Sequence, residues 1–175
     1  MTESKKTGSI FDSLEQLGSG GSYLADISDM LEGADMLRDF SRQEVEVLAR
    51  YITAYQARPG AYVLREGSRE SYMFILASGK LDIMKSGDEP GIGKKLATIR
   101  AGKTVGEMSL VDGLPHSACA VAVETTRLLL ITKRQFDQFC EQNPIVALKF
   151  MKKVAILMSL RLRQTSGVLV DYLEK

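Results

Sequence analysis

The chain has 175 residues, 45% apolar and 26% charged, and its 23 Lys and Arg nearly balance 22 Asp and Glu for a net charge of +1. That length suits one domain with modest extensions, and the balance gives no electrostatic grip on a nucleic-acid backbone or an anionic membrane. One histidine and two cysteines are too few for a His-based metal site or a disulfide framework, no apolar run approaches the roughly 18 residues of a membrane span, and no signal peptide opens the chain, so a cytoplasmic protein with reduced thiols is expected.

Residues 1–32 read as a flexible N-terminal tail. Lys5–Lys6 and the run Gly18–Ser19–Gly20–Gly21–Ser22 have linker composition. Between them Ile10, Phe11, Leu14 and Leu17 carry helical spacing, but so short a fragment is expected to be a weakly ordered surface segment. Residues 33–142 carry the main pattern. Ser41 followed by Glu44 forms a capping box, and Val45, Leu48, Ala49 and Ile52 give the apolar face of a helix that ends before Arg58–Pro59–Gly60. Short extended runs follow at Tyr62–Leu64, Tyr72–Ala77, Leu81 with Ile83, Leu96–Ile99, Ser117–Val123 and Arg127–Thr132, with a Gly- and Pro-rich loop from Ser86 to Gly93. Many short strands without long intervening helices predict a sandwich, roll or barrel.

After Thr132 the period is helical again. Phe136, Phe139 and Cys140 share a face, and Pro144 suits the first position of a last helix within residues 143–175. That helix has two apolar stripes: Ala147, Phe150, Val154, Leu157, and Leu148, Met151, Ala155, Met158, Leu162. The β-body can cover one stripe; the second predicts a homodimer through this helix. Lys149, Lys152, Lys153, Arg161 and Arg163 are expected to form a solvated face. Cys119 and Cys140 read as small buried hydrophobes, and a spacing of three along a strand from His116 to Cys119 would put those two side chains on opposite faces. No acid–base pair has persuasive spacing, so no enzymatic activity is expected.

The stretch from Gly106 to Ala118 carries the chemistry. Gly106 permits a close backbone approach, a helical turn from Glu107 to Leu110 aims free N–H groups at an anion, and Ser117–Ala118–Cys119–Ala120 is a strand of small side chains. Glu107 beside that turn accepts from hydroxyls and repels phosphate, so the pattern suits a sugar and an anion on one molecule.

Gly106–Glu107–Met108–Ser109–Leu110 followed by Gly113–Leu114–Pro115–His116–Ser117–Ala118 resembles the phosphate-binding cassette of the cyclic nucleotide-binding domain family, which includes bacterial catabolite activator proteins and regulatory subunits of cAMP-dependent kinases. Pro59–Gly60, Arg65–Glu66–Gly67, Ile75–Leu76 and Ser78–Gly79 extend the resemblance, which runs from Gly33 to Leu162. It implies a mainly β fold, a β-roll (jelly roll, or double-stranded β-helix) with N-terminal helices and a long C-terminal helix. It also implies a non-enzymatic, ligand-sensing regulatory module that takes cAMP or cGMP and needs no cofactor. On this resemblance Glu107 would accept from the ribose 2′-hydroxyl, and the backbone around Met108 and Ser109, with Ser117 and Ala118, would cradle the cyclic phosphate. The terminal helix would relay occupancy to an effector protein. Relatives that bind DNA carry a helix-turn-helix module after that helix; the residues before Lys175 leave no length for one, so a stand-alone module without a DNA partner is expected.

The family usually has arginine immediately before the Ser-Ala pair, where this chain has His116. Arginine is always charged and offers a planar fork. Charged hydrogen bonds contribute roughly 1.5–3 kcal/mol each, so its loss would weaken binding by about one or two decades. Protonation of His116 beside a phosphate would restore part of this and raise affinity as pH falls from 8 to 6, and His116→Arg is expected to strengthen binding. The alternative is a degenerate fold that binds no nucleotide and serves as a dimerisation or docking module.

Overall fold

The computed structural model describes residues 9–86 and 93–173, apart from the side chains at 168, 169 and 171–173. Lys5–Lys6 and most of the Gly- and Pro-rich loop lie outside the described residues. The strands are β1 (Glu15–Ser19), β2 (Thr53–Ala57), β3 (Tyr62–Leu64), β4 (Tyr72–Ser78), β5 (Lys80–Ser86), β6 (Gly93–Arg100), β7 (Thr104–Val105), β8 (Cys119–Ala122) and β9 (Thr126–Thr132). The helices are α1 (Leu24–Glu32), α2 (Arg42–Ala49), α3 (Glu107–Asp112), α4 (Lys133–Gln142) and α5 (Pro144–Leu173). Two antiparallel sheets form the β-roll, one in the order β1-β2-β9-β4-β7 and the other β3-β8-β5-β6.

The apolar runs of β4 and β9 do not alternate with polar residues because both faces are buried. Met73, Ile75, Leu129 and Ile131 face a core beneath the helices, with Ile27, Leu31, Leu48, Phe139 and Phe150. Tyr72, Phe74, Leu76, Leu128 and Leu130 face a second core between the sheets, with Val63, Leu81 and Ala120. Successive strand side chains point to opposite faces, so a strand shared by two cores is apolar throughout.

The helix starts are written locally. Ser41 N donates to Glu44 Oε2 at 2.8 Å and Glu44 N to Ser41 Oγ at 3.3 Å, closing the expected capping box. Thr132 and Gln135 close a second one at α4. Pro144 opens α5 as expected.

Two expectations give way to long-range pairing. The supposed tail is ordered from Ser9 on: a 3-10 turn at Ile10–Ser13 leads into β1, which pairs with β2 from Glu15↔Gln56 to Ser19↔Thr53, and α1 buries Ile27 and Leu31 completely. Its Gly- and Ser-rich composition serves an edge strand and tight turns. The helix after Ser41 ends at Ala49 and not just before Arg58, because Thr53–Ala57 is β2, paired with Thr126–Leu130 of β9. Both cysteines are half-buried, not fully buried.

On α5 the first stripe is core, with Ala147, Phe150 and Val154 at 3%, 0% and 0% exposure. On the second, Leu148 and Leu162 are exposed and Met151 and Met158 half-buried. The basic residues are no uniform solvated face. Lys149 donates to Glu44 Oε2 and the Asp39 carbonyl, both at 2.7 Å, and Lys153 pairs with Asp39. No helix among the described residues is long and apolar enough to cross a membrane.

Candidate functional site

Strand β7 pairs with β4 at Phe74 and Ile75 and delivers Gly106 against that strand. Gly106 has φ +86°, and a Cβ there would stand 2.6 Å from the Tyr72 carbonyl oxygen. Glycine is therefore required by packing on β4, a different reason from the ligand approach expected of it. Helix α3 begins at the next residue, with no side chain capping its first turn. Ser109 Oγ donates to the carbonyls of Tyr72 at 3.2 Å and Gly106 at 3.0 Å and ties the helix to β4. Gly113 at φ +69° ends α3, and Leu114 N donates to Asp112 Oδ1 at 2.9 Å in the turn that follows.

The chain then returns through 115–118 into β8. His116 N donates to the Ser68 carbonyl at 3.0 Å, and Gly67 N donates to the His116 carbonyl at 2.9 Å. Its ring packs edge-on against Tyr72, with 4.8 Å between centroids, and is 5% exposed. Burial pushes the imidazole pKa below its usual 6.5, against the pull of a hydrogen bond to the Glu70 backbone, and Nε2 is buried without a partner among the described residues. The ring is thus neutral near pH 7, and burial opposes the protonation expected of it. Ser117 is exposed, and its carbonyl accepts from Lys85 Nζ at 2.8 Å. Lys85 also bonds Glu66 at 2.5 Å; with the amide of Ser86 it lowers the Glu66 pKa to about 2.

These segments enclose a cavity of about 290 Å³, near the lower end of the roughly 300–1,000 Å³ usual for small-molecule sites. All seven residues expected at the site line it: Gly106, Glu107, Met108, Ser109, His116, Ser117 and Ala118. Leu64, Ile83 and Ile99 add apolar wall, and Cys119 also lines it, because residues 116–118 precede β8 and do not alternate as a strand. Glu107 is 2% exposed. Its Oε1 pairs with Arg161 Nη1 of α5, and its Oε2 accepts from Thr104 Oγ1 at 3.4 Å, while Arg161 Nη2 donates to the Thr104 carbonyl at 2.7 Å. Arg161, which lines the cavity, and Thr104, which bonds both Arg161 and Glu107, are the residues of this candidate site that the sequence reading missed. The signal for Arg161 was in the core stripe, whose 3–4 rhythm through Ala147, Phe150, Val154 and Leu157 continues to 161. Among the described residues no group of His, Cys, Asp or Glu is arranged to hold a metal ion.

The sequence model of the cyclic nucleotide-binding domain matches residues 55–143, half of the chain. The cyclic AMP receptor protein of Thermus thermophilus is 28% identical over 134 residues, covering 77% of this chain and 60% of that protein. A cAMP-dependent protein kinase regulatory subunit of Yarrowia lipolytica is 28% identical over 62% of this chain and 28% of its own length. The chain thus spans less than two thirds of these relatives. Among solved structures, a cyclic nucleotide-binding domain from Methylobacillus flagellatus superposes with a TM-score of 0.79 at 26% identity, covering 95% of this chain and 93% of that one.

Proposed function

The chain belongs to the cyclic nucleotide-binding domain family, and from that premise we propose that it binds a 3′,5′-cyclic nucleotide, cAMP or cGMP, in the cavity under α5 and relays occupancy through that helix. The observation that carries this reading is that a buried carboxylate, the uncapped first turn of α3 and the Ser117–Ala118 backbone line one small cavity. Glu107 accepts from the ribose 2′-hydroxyl; the amides of Met108 and Ser109 and the 117–118 segment receive the phosphate, since first-turn N–H groups have no partner within their helix. Because Arg161 reaches Glu107 from α5, a ligand that engages Glu107 also changes what holds α5 in place. The module is non-enzymatic, works in the cytoplasm, and pairs with a second copy through the exposed Leu148, Ala155 and Leu162 of α5.

The test is a thermal-shift panel of cAMP, cGMP, cyclic dinucleotides, AMP and adenosine, because a ligand of the folded state alone raises its stability. A ligand at 100 times its Kd adds about 2.7 kcal/mol. A shift with cAMP or cGMP alone supports the reading, and no shift with any compound refutes it. Sedimentation of wild type against Leu162→Glu tests the dimer, which predicts a twofold lower mass for the variant.

Two observations favour a second reading. Glu107 already has a charged partner within the chain, and His116 is neutral where the family's arginine would stand. A β-roll that has given up its ligand and serves as a docking module fits both facts, and a silent panel with an intact dimer is its expected result.

A further inference from the structure

We infer that Tyr51 is the latch of the joint between α4 and α5: its hydroxyl fixes the angle at which α5 reaches the cavity, and the shift of α5 on ligand binding works against it. The inference rests on the binding and relay reading above. Helices α4 and α5 are joined by one residue, Asn143, at φ −137° and ψ 59°. Its N–H donates to the Phe139 carbonyl at 2.8 Å and closes α4, while its carbonyl accepts from Ala147 N at 2.9 Å and opens α5. The direction of a 30-residue helix therefore turns on the dihedrals of one residue, and element-terminal residues of this kind absorb the change when packed elements swing. Arg161 lies about 27 Å along α5 from the joint at 1.5 Å per residue, so a swing of about 5° moves it roughly 2 Å. That is enough to undo its pair with Glu107, while Phe150 and Val154, nearer the joint, move much less.

Tyr51 follows the last turn of α2, where its N–H donates to the Leu48 carbonyl at 3.0 Å. From there its Oη donates to Gln142 Oε1 and accepts from Asn143 Nδ2, both at 2.8 Å. The last residue of α4 and the joint itself are thus tied to one oxygen that belongs to neither helix. The α5 arm is held to the same segment, Asp39 to Tyr51: Lys149 donates to Glu44 Oε2 and to the Asp39 carbonyl, and Lys153 pairs with Asp39. Packing does not call for the hydroxyl. The Tyr51 ring lies against Phe139 with 5.3 Å between centroids, a contact that phenylalanine would keep. Gln142 is exposed, so water would satisfy its side chain if the bond were lost. What the two bonds add is direction. Hydrogen bonds weaken steeply away from linear geometry, so they specify one joint angle where ring packing tolerates a range.

The experiment is calorimetric titration of the full chain with cAMP and cGMP for wild type, Tyr51→Phe and Gln142→Ala. Thermal melts establish that each variant is folded, and amide hydrogen exchange over residues 144–160 is measured without nucleotide. The expected result for Tyr51→Phe is binding about fivefold tighter, the factor one hydrogen bond contributes net of water, and faster exchange at the start of α5. Gln142→Ala, which leaves the bond to Asn143, gives a smaller effect in the same direction. A tyrosine that only stabilises the fold would lower the melting temperature and leave affinity unchanged; that result, or weaker binding by a folded Tyr51→Phe, overturns the inference. Wild type that binds neither nucleotide removes the binding reading itself. Exchange over α5 then decides the latch alone: faster rates in Tyr51→Phe uphold it and equal rates overturn it.

Discussion

Glu107 and His116 line one cavity and are almost equally buried, at 2% and 5% exposure, yet the fold treats them in opposite ways. Glu107 has a protein partner on each carboxylate oxygen, one of them a guanidinium from a helix 54 residues away. His116 has a hydrogen bond to the Glu70 backbone, an aromatic neighbour, and a ring nitrogen with no partner among the described residues. A buried charge persists only where it is paired, whereas a buried imidazole can shed its proton and pack as a neutral ring. The carboxylate side is therefore held by polar partners, and the histidine side mainly by packing, at a position where sequence suggested a ligand contact.

The contrast can be broken most severely at the hinge between the two. Gly106→Ala puts a methyl group 2.6 Å from the Tyr72 carbonyl oxygen at φ +86°. A loss of about 3 kcal/mol in urea unfolding is expected, since strained φ and steric overlap each cost about 1–3 kcal/mol. A change under about 1 kcal/mol would mean that β4 and α3 are not locked together as described.

Restoring charge on the histidine side is the next largest effect. His116→Arg is expected to tighten cAMP or cGMP by about tenfold, the share of one charged hydrogen bond. Calorimetry showing no gain in a folded variant would mean that the phosphate does not sit beside residue 116.

The smallest effect is on stability against pH. Because burial lowers the His116 pKa from 6.5, the unfolded chain takes up a proton below pH 6.5 that the folded protein resists. Stability is therefore level with respect to this group above 6.5 and falls as pH drops below it. His116→Met should flatten that interval by about 1 kcal/mol or less in urea titrations at pH 7 and 5.5. Glu66 acts in a separate window: its lowered pKa gives stability that is present above 4.5 and lost as pH falls toward about 2. A His116→Met protein as pH-sensitive as wild type between 7 and 5.5 would refute a buried neutral ring.

Much of this was legible in the sequence because local rules wrote it. The capping box at Ser41, the start of α5 at Pro144, and the turn through Asp112–Gly113 all depend on neighbours within a few residues. The cassette was legible as well, since its seven residues follow one another closely and line one cavity. What stayed hidden is long-range. β1 and β2 are strands because they pair with each other and with β9, and nothing in Glu15–Ser19 alone announces an edge strand. Arg161 read as one more solvated cation because its partner, Glu107, lies far back in the chain. The neutrality of His116 follows from burial against Tyr72, which no residue count reveals.

Helix α5 is clasped near its base by Lys149, Lys153 and the buried Val154, with Leu157 and Met158 packed on the same core, and it meets the cavity at Arg161. At 1.5 Å per residue, Arg161 lies about 12 Å beyond Lys153 and the helix end about 30 Å beyond it. A rigid rod pivoting on its clasped end moves its tip two to three times as far as the point where it is pushed. On the proposed reading, a sub-ångström readjustment around one guanidinium would thus arrive at the far end as a displacement of ångström size.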